Sequence, residues 1–196
     1  MSAPIIHYFF VQSPWSFFGF RRAVEIAKKH GVDIIHKPCR AGDVWEHGGG
    51  VPLAKRPKPR QDYRLVELKR WSEHLGIPIN LQPKYFPIDE TLAARIIIAV
   101  QEDGQDVTKL TETLMGDIWL RERDVTDPKI IREALASSGL SIEYLEDADL
   151  PGTAKIYDDN CQSARDQNIF GVPTYFVGSE MFWGQDRLDF VDRALA

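Results

Sequence analysis

The chain has 196 residues, 43% hydrophobic and 11% aromatic, enough to bury one core or one core with a sizeable insertion. Its formal charge of -5 lacks the basic footprint that phosphate backbones select, so nucleic acid is not an expected partner. No stretch reaches the roughly 18 apolar residues of a membrane span, and the first residues lack the basic-then-apolar layout of a signal peptide; the expectation is a cytoplasmic protein without a membrane partner.

The run "IIHYFFV" (5–11) is β-branched, aromatic and short, which predicts a buried strand. From Pro14 to His30 a helix is predicted, with Phe17, Phe20, Val24 and Ala27 on one side. Lys28, Lys29, His30 and then Gly31 supply its basic last turn and glycine stop. "VDIIHKP" is a second strand, and the crossover is long enough to make the two strands parallel.

From Ala41 to Arg60, including "HGGGVPLAKRPKPR", the Gly, Pro and Lys content predicts a long irregular loop of the kind that folds over a ligand. Helices are expected at 61–75, 89–102 and 107–122, then from Asp127-Pro128 to near Gly139, and again in "IEYLEDA" and "TAKIYDDNCQSARDQ". In the last of these Ala154, Tyr157, Cys161 and Ala164 share a face, marking Cys161 as a core residue. Cys39 and Cys161 form no C-x-x-C pair and are expected as reduced, buried thiols. His7, His36, His47 and His74 show no ligand spacing, so no metal site is expected. "PTYFVG", a turn at Ser179-Glu180 and "MFWG" predict a hairpin, and a helix from about Asp186 to Leu195 closes the chain.

The order β-α-β, helices, β-β-α is the layout of an α/β thioredoxin-like fold with a large all-helical insertion. The predicted division is a thioredoxin-like domain from 1–40 plus 166–196, and a loop and helical insertion over 41–165. Two junctions are landmarks of that layout. Val172-Pro173 is expected to be cis, leaving the Val172 N–H and C=O to pair with an extended peptide such as glutathione. Ser13 followed by Pro14 is an ordinary helix start. The same N-terminus favours an anion and would lower the pKa of an adjacent thiol from about 8.5. With serine at both 13 and 16, disulfide exchange by the usual route is excluded and any thiol must come from outside.

"SPWSFFG", "LKRWSEHLGIPI" and "FGVPTYFVGSEMFWGQDRLDFV", in this order, resemble the 2-hydroxychromene-2-carboxylate isomerases, relatives of kappa-class glutathione transferases and DsbA-like oxidoreductases. The resemblance implies a glutathione-dependent isomerisation in aromatic degradation. Thiolate adds to the conjugated chromene, the ring opens, a transient single bond rotates, and elimination gives trans-o-hydroxybenzylidenepyruvate. It implies Ser13 as the catalytic residue that hydrogen-bonds the thiolate, and Val172 and Pro173 on the glutathione backbone. Trp183, Gly184, Gln185 and Asp186 would stand near the γ-glutamyl end, where Asp186 takes the ammonium group or only caps the closing helix.

Lys55 and Lys58 are candidates for a carboxylate of glutathione or substrate, against the commoner case of solvated lysines. Trp45, Tyr85 and Phe86 are candidates for the wall around a small aromatic carboxylate, or for core. The family tends toward homodimers. It commonly carries an acidic residue on the first strand, where this chain has Phe10, and often a loop asparagine that "HGGGVPLAKRP" lacks. Two alternatives stand beside the isomerase: a kappa-like transferase that consumes glutathione, and a thioredoxin-scaffold binding protein in which Ser13 is only a cap.

Overall fold

The computed structural model describes residues 3–196, apart from the side chain of Trp45, so that candidate wall residue lies outside the described residues. Strand β1 (Ile5–Phe9) feeds helix α1 (Pro14–His30), which ends at Gly31 with φ 63° and returns through β2 (Ile34–Pro38). Strands β3 (Thr174–Val177) and β4 (Glu180–Trp183) form the expected hairpin. The sheet order is β2-β1-β3-β4, with β1 parallel to β2 and antiparallel to β3. This is the predicted α/β thioredoxin-like arrangement.

The two faces of the sheet follow from its alternation. On one, Ile5 and Tyr175 pack with Ala23 and Ala27 of α1 and with Leu188 and Val191 of α9 (Leu188–Ala194). On the other lies the insertion. Helices α4 (Thr91–Glu102) and α8 (Pro151–Asp166) pack against β2, and Tyr8 Oη and Ser163 Oγ are 2.6 Å apart. Gln101 of α4 pairs with the outer edge of β2, accepting from His36 N–H at 2.9 Å and donating to His36 C=O at 3.0 Å. Helices α5 (Thr108–Trp119), α6 (Pro128–Ser138) and α7 (Tyr144–Asp147) complete the helical layer. Asp127 caps α6 by accepting from Lys129 N–H at 2.8 Å.

The segment 41–60 departs from expectation. Instead of a long loop it forms α2 (Ala41–Gly48), a 3-10 turn (Leu53–Lys55) and the start of α3 (Lys58–Leu75). Tertiary contacts override its Gly and Pro content. Val44 is buried, and Asp43 joins Arg40 at 2.8 Å to Arg165 of α8 at 3.0 Å. Pro59 falls in the first turn of α3, where no intrahelical N–H bond is forfeited.

The sheet core holds a polar pair that spacing did not reveal. His7 and His36 are cross-strand partners, both buried, with their Nδ1 atoms 3.0 Å apart. One nitrogen donates and the other accepts, which requires the accepting ring to be neutral. Burial pushes the His36 pKa down to about 4; burial and the neighbouring His36 hold His7 well below its ordinary range. Among the described residues no three His, Cys, Asp or Glu side chains group as metal ligands, and no helix is long and apolar enough to cross a membrane.

Candidate active site

The register brings three distant stretches to one end of the sheet. Thr174 pairs with Tyr8, so Val172-Pro173 lies beside the exit of β1 toward Ser13. Thr174 also pairs with Trp183, and Gly184 N–H donates to Pro173 C=O at 2.8 Å, which draws residues 183–186 alongside.

Ser13 is the N-cap of α1, with φ −79° and ψ 122°, and its Oγ accepts from Ser16 N–H at 3.2 Å. Pro14 brings no N–H, and among the described residues the Trp15 N–H has no hydrogen-bond partner. No acidic residue lies in this first turn, so the positive end of the helix is not offset there. Ser13 is nearly buried. Ser16 is fully buried, and its Oγ has no partner among the described residues.

The Val172-Pro173 bond is cis, as is Phe86-Pro87, which the sequence did not single out. Thr174 Oγ1 donates to Gly171 C=O at 2.7 Å. Among the described residues neither the N–H nor the C=O of Val172 has a hydrogen-bond partner, although its side chain is 9% exposed. That free peptide edge is what an extended ligand needs.

The remaining candidates fare differently. Trp183 is half exposed and meets Phe170 edge-on, ring centroids 4.7 Å apart. Its indole lies over Gly171, where any Cβ would collide with the ring. Gln185 is buried rather than presented, because its Oε1 accepts from Arg22 Nη1 at 2.7 Å and its C=O from the same nitrogen at 3.1 Å. Asp186 is half-exposed and paired with Arg187 at 2.7 Å. It does not cap the closing helix, which is preceded by a 3-10 turn at Gln185–Arg187. Lys55 ends its 3-10 turn exposed; its N–H donates to Pro52 C=O at 2.9 Å, and its ammonium group has no hydrogen bond or ion pair among the described residues. Lys58 pairs with Asp62 on the surface of α3. Phe86 packs on Trp119 at 4.9 Å, while Tyr85 lies under Lys84.

Glu90 is a residue that sequence reasoning missed. It precedes α4, is 4% exposed, and accepts from Gln12 N–H at 2.9 Å and Gln12 Nε2 at 3.1 Å. Gln12 Oε1 in turn accepts from Ile88 N–H at 3.1 Å. The segment 86–90 is thereby tied to the residue directly before Ser13. Burial pushes the Glu90 pKa up to about 7, against the opposing hydrogen bonds from Gln12 and Val11. A buried acid is thus delivered from the insertion to the stretch that follows β1, beside Val11 and Gln12. The available signal was "FPIDE" ahead of an apolar run, which reads equally well as a plain helix start.

The chain's own thiols lie in the core, Cys39 close enough to Glu90 to feel its charge. Cys39 and Cys161 are free and buried, as expected. Burial raises both, Cys39 well above its usual range and Cys161 to about 11, and Cys161 Sγ accepts from Arg40 N–H at 3.3 Å. Neither is a nucleophile at neutral pH.

Comparison with known proteins agrees with the fold. The model of the DSBA-like thioredoxin domain matches residues 4–196. The 2-hydroxychromene-2-carboxylate isomerase of Pseudomonas putida is 27% identical over 195 residues, spanning 96% of this chain and 92% of the relative. Human glutathione S-transferase kappa 1 is 24% identical, spanning 94% and 87%. Among solved structures, a 2-hydroxychromene-2-carboxylate isomerase superposes with a TM-score of 0.79 at 24% identity over 97% of this chain and 93% of that one. The cytosolic disulfide reductase DsbM from Pseudomonas aeruginosa, solved with GSH, shares the fold at a TM-score of 0.69 and 13% identity, covering 98% of this chain and 95% of that one. With the family model matched from residue 4 to residue 196, and the sheet order, Ser13 junction and cis Pro173 in place, the chain belongs to the DsbA-like thioredoxin domain family.

Proposed function

We propose that the protein is a glutathione-dependent isomerase of 2-hydroxychromene-2-carboxylate or a closely related aromatic carboxylate. The observation that carries this is the pairing of a serine N-cap at α1 with the unpartnered peptide edge of Val172, in a site whose redox positions hold Ser13 and Ser16. The names of its relatives support the same reading. Bound glutathione supplies the thiolate nucleophile that adds to the conjugated substrate and leaves again after bond rotation.

The chain's residues hold and polarise. Val172 N–H and C=O take the cysteinyl backbone as an added strand would. Ser13 Oγ, released from Ser16 N–H or shared with it, donates a hydrogen bond to the thiolate sulfur, while the N-terminus of α1 favours negative charge there. Trp183 and Asp186 border the far side, where the carboxylate of Asp186 matches an ammonium group.

Ser13→Ala tests this with two readouts, glutathione affinity and chromene isomerisation. Cap loss costs about 1 kcal/mol of stability, so the variant folds. Isomerisation is expected to collapse; turnover at the wild-type rate overturns the thiolate role. The likeness to kappa-class glutathione transferase favours a second reading, transfer to small electrophiles. Stoichiometry separates the two, because an isomerase leaves the glutathione pool unchanged and a transferase consumes it. Absence of glutathione binding at millimolar concentration would leave only a binding scaffold.

A further inference from the structure

Arg64 on α3 is a cation without an anion. It is half-buried, and among the described residues its side chain makes no ion pair and no hydrogen bond. Its guanidinium lies instead over two rings, 5.2 Å from the centre of Phe86 and 5.9 Å from that of Trp119. None of its nitrogens is a fully buried atom lacking a partner, so the fork is reachable from outside. Burial, and then the nearby Arg56, push its pKa down to about 10. Arg56 is itself lowered by burial and by Arg60. Arg56, whose Nε donates to Val51 C=O at 2.7 Å, thus stands near both Arg60 and Arg64, and among the described residues none of the three has an ion-pair partner.

An unpaired, part-buried charge is costly and persists where a partner arrives from outside. Arginine's planar fork fits a carboxylate with two parallel hydrogen bonds, and the part-exposed Phe86 ring offers apolar surface to an attached aromatic group, with Trp119 buried behind it. The location is also telling. Phe86 opens the segment whose Ile88 and Glu90 are hydrogen-bonded to Gln12, next to Ser13, and α3 packs on α1.

Resting on the proposed function, we infer that Arg64 receives the carboxylate of the aromatic substrate and sets the enzyme's preference for acids over their neutral analogues, with Phe86 as the adjoining wall. The ligand class is an aromatic or conjugated carboxylate.

Arg64→Met tests the assignment by equilibrium binding of trans-cinnamate and of uncharged cinnamamide, which needs no turnover and so stands apart from the isomerase reading. Wild type is expected to prefer cinnamate, and the variant to lose about 10- to 100-fold of its affinity for cinnamate while cinnamamide and glutathione bind as before. Removing an unpaired charge from between two rings is expected to leave thermal stability unchanged or higher, whereas a packing role for Arg64 would lower it. The assignment is overturned if wild type does not discriminate, if the variant keeps the discrimination, or if it loses glutathione affinity instead, since Arg64 would then hold the glycine carboxylate. Arg64→Gln carries the same measurements should the methionine variant fail to fold.

Discussion

Replacing Glu90 by Gln removes a buried titration, and the structure sets the size of the effect. The carboxyl group is raised from 4.5 to about 7, so the folded state holds a proton that the unfolded chain releases. Stability from a raised group is fully present below the unfolded pKa and is lost as pH rises through the folded one. A shift of this size corresponds to roughly 3 kcal/mol, of which about 2.5 falls between about pH 5 and pH 8. The assay is urea unfolding of both proteins across that range, taking wild type minus Glu90→Gln at each pH. The subtraction cancels every titration the two share, including those of His7 and His36, which make no contact with Glu90. The difference is expected to fall with pH by that amount and to level above about pH 8. A difference that is flat, or that rises with pH, refutes the reasoning.

The histidine pair predicts the opposite slope. His36, depressed to about 4, contributes stability above about pH 6.5 that is lost as pH falls, up to roughly 3 kcal/mol, and His36→Gln should flatten that acid limb in urea unfolding. Gly171→Ala should drive the Trp183 indole from its seat, cost about 1–3 kcal/mol of stability, and shift the tryptophan emission. An unchanged spectrum would show the backbone yielding in place of the ring. Cys39 and Cys161 should react with a thiol reagent only upon unfolding, read as a rate that tracks denaturant.

How much of this was legible in the letters depended on how local the determinants were. "SPWS" carries its cap and first-turn proline within four residues, and the structure places Ser13 as read. Val172-Pro173 and the hairpin were legible because strand order fixes them. The stretch 41–60 was not, since α2 is held by Asp43 on Arg165 and by buried Val44, partners more than a hundred residues away or inside a distant core. The fate of Gln185 was equally hidden. Its oxygen is claimed by Arg22, a contact across 163 positions that no local pattern announces. Glu90 and Arg64 share that limit, because an acid before a helix and an arginine on one are ordinary until burial and partners are known.

Glu90 and the N-terminus of α1 act on the same small volume with opposite signs. The helix end favours negative charge at Ser13 by its free donor and dipole, while an ionised Glu90, bonded to Gln12, opposes it. Two charges separated by roughly two residue spacings, about 7 Å, interact by about 2 kcal/mol at an effective dielectric of about 20. That corresponds to about one and a half pKa units on a thiol held at Ser13. In Glu90→Gln the bound glutathione thiol is therefore expected to titrate about one and a half units lower than in wild type, followed by thiolate absorbance in the ultraviolet from about pH 5 to pH 9. Below pH 7 the protonated Glu90 is silent, so the two proteins should converge there and separate above it. Identical titrations would mean that the carboxylate is screened from the sulfur and acts on Ser13 only by fixing Gln12.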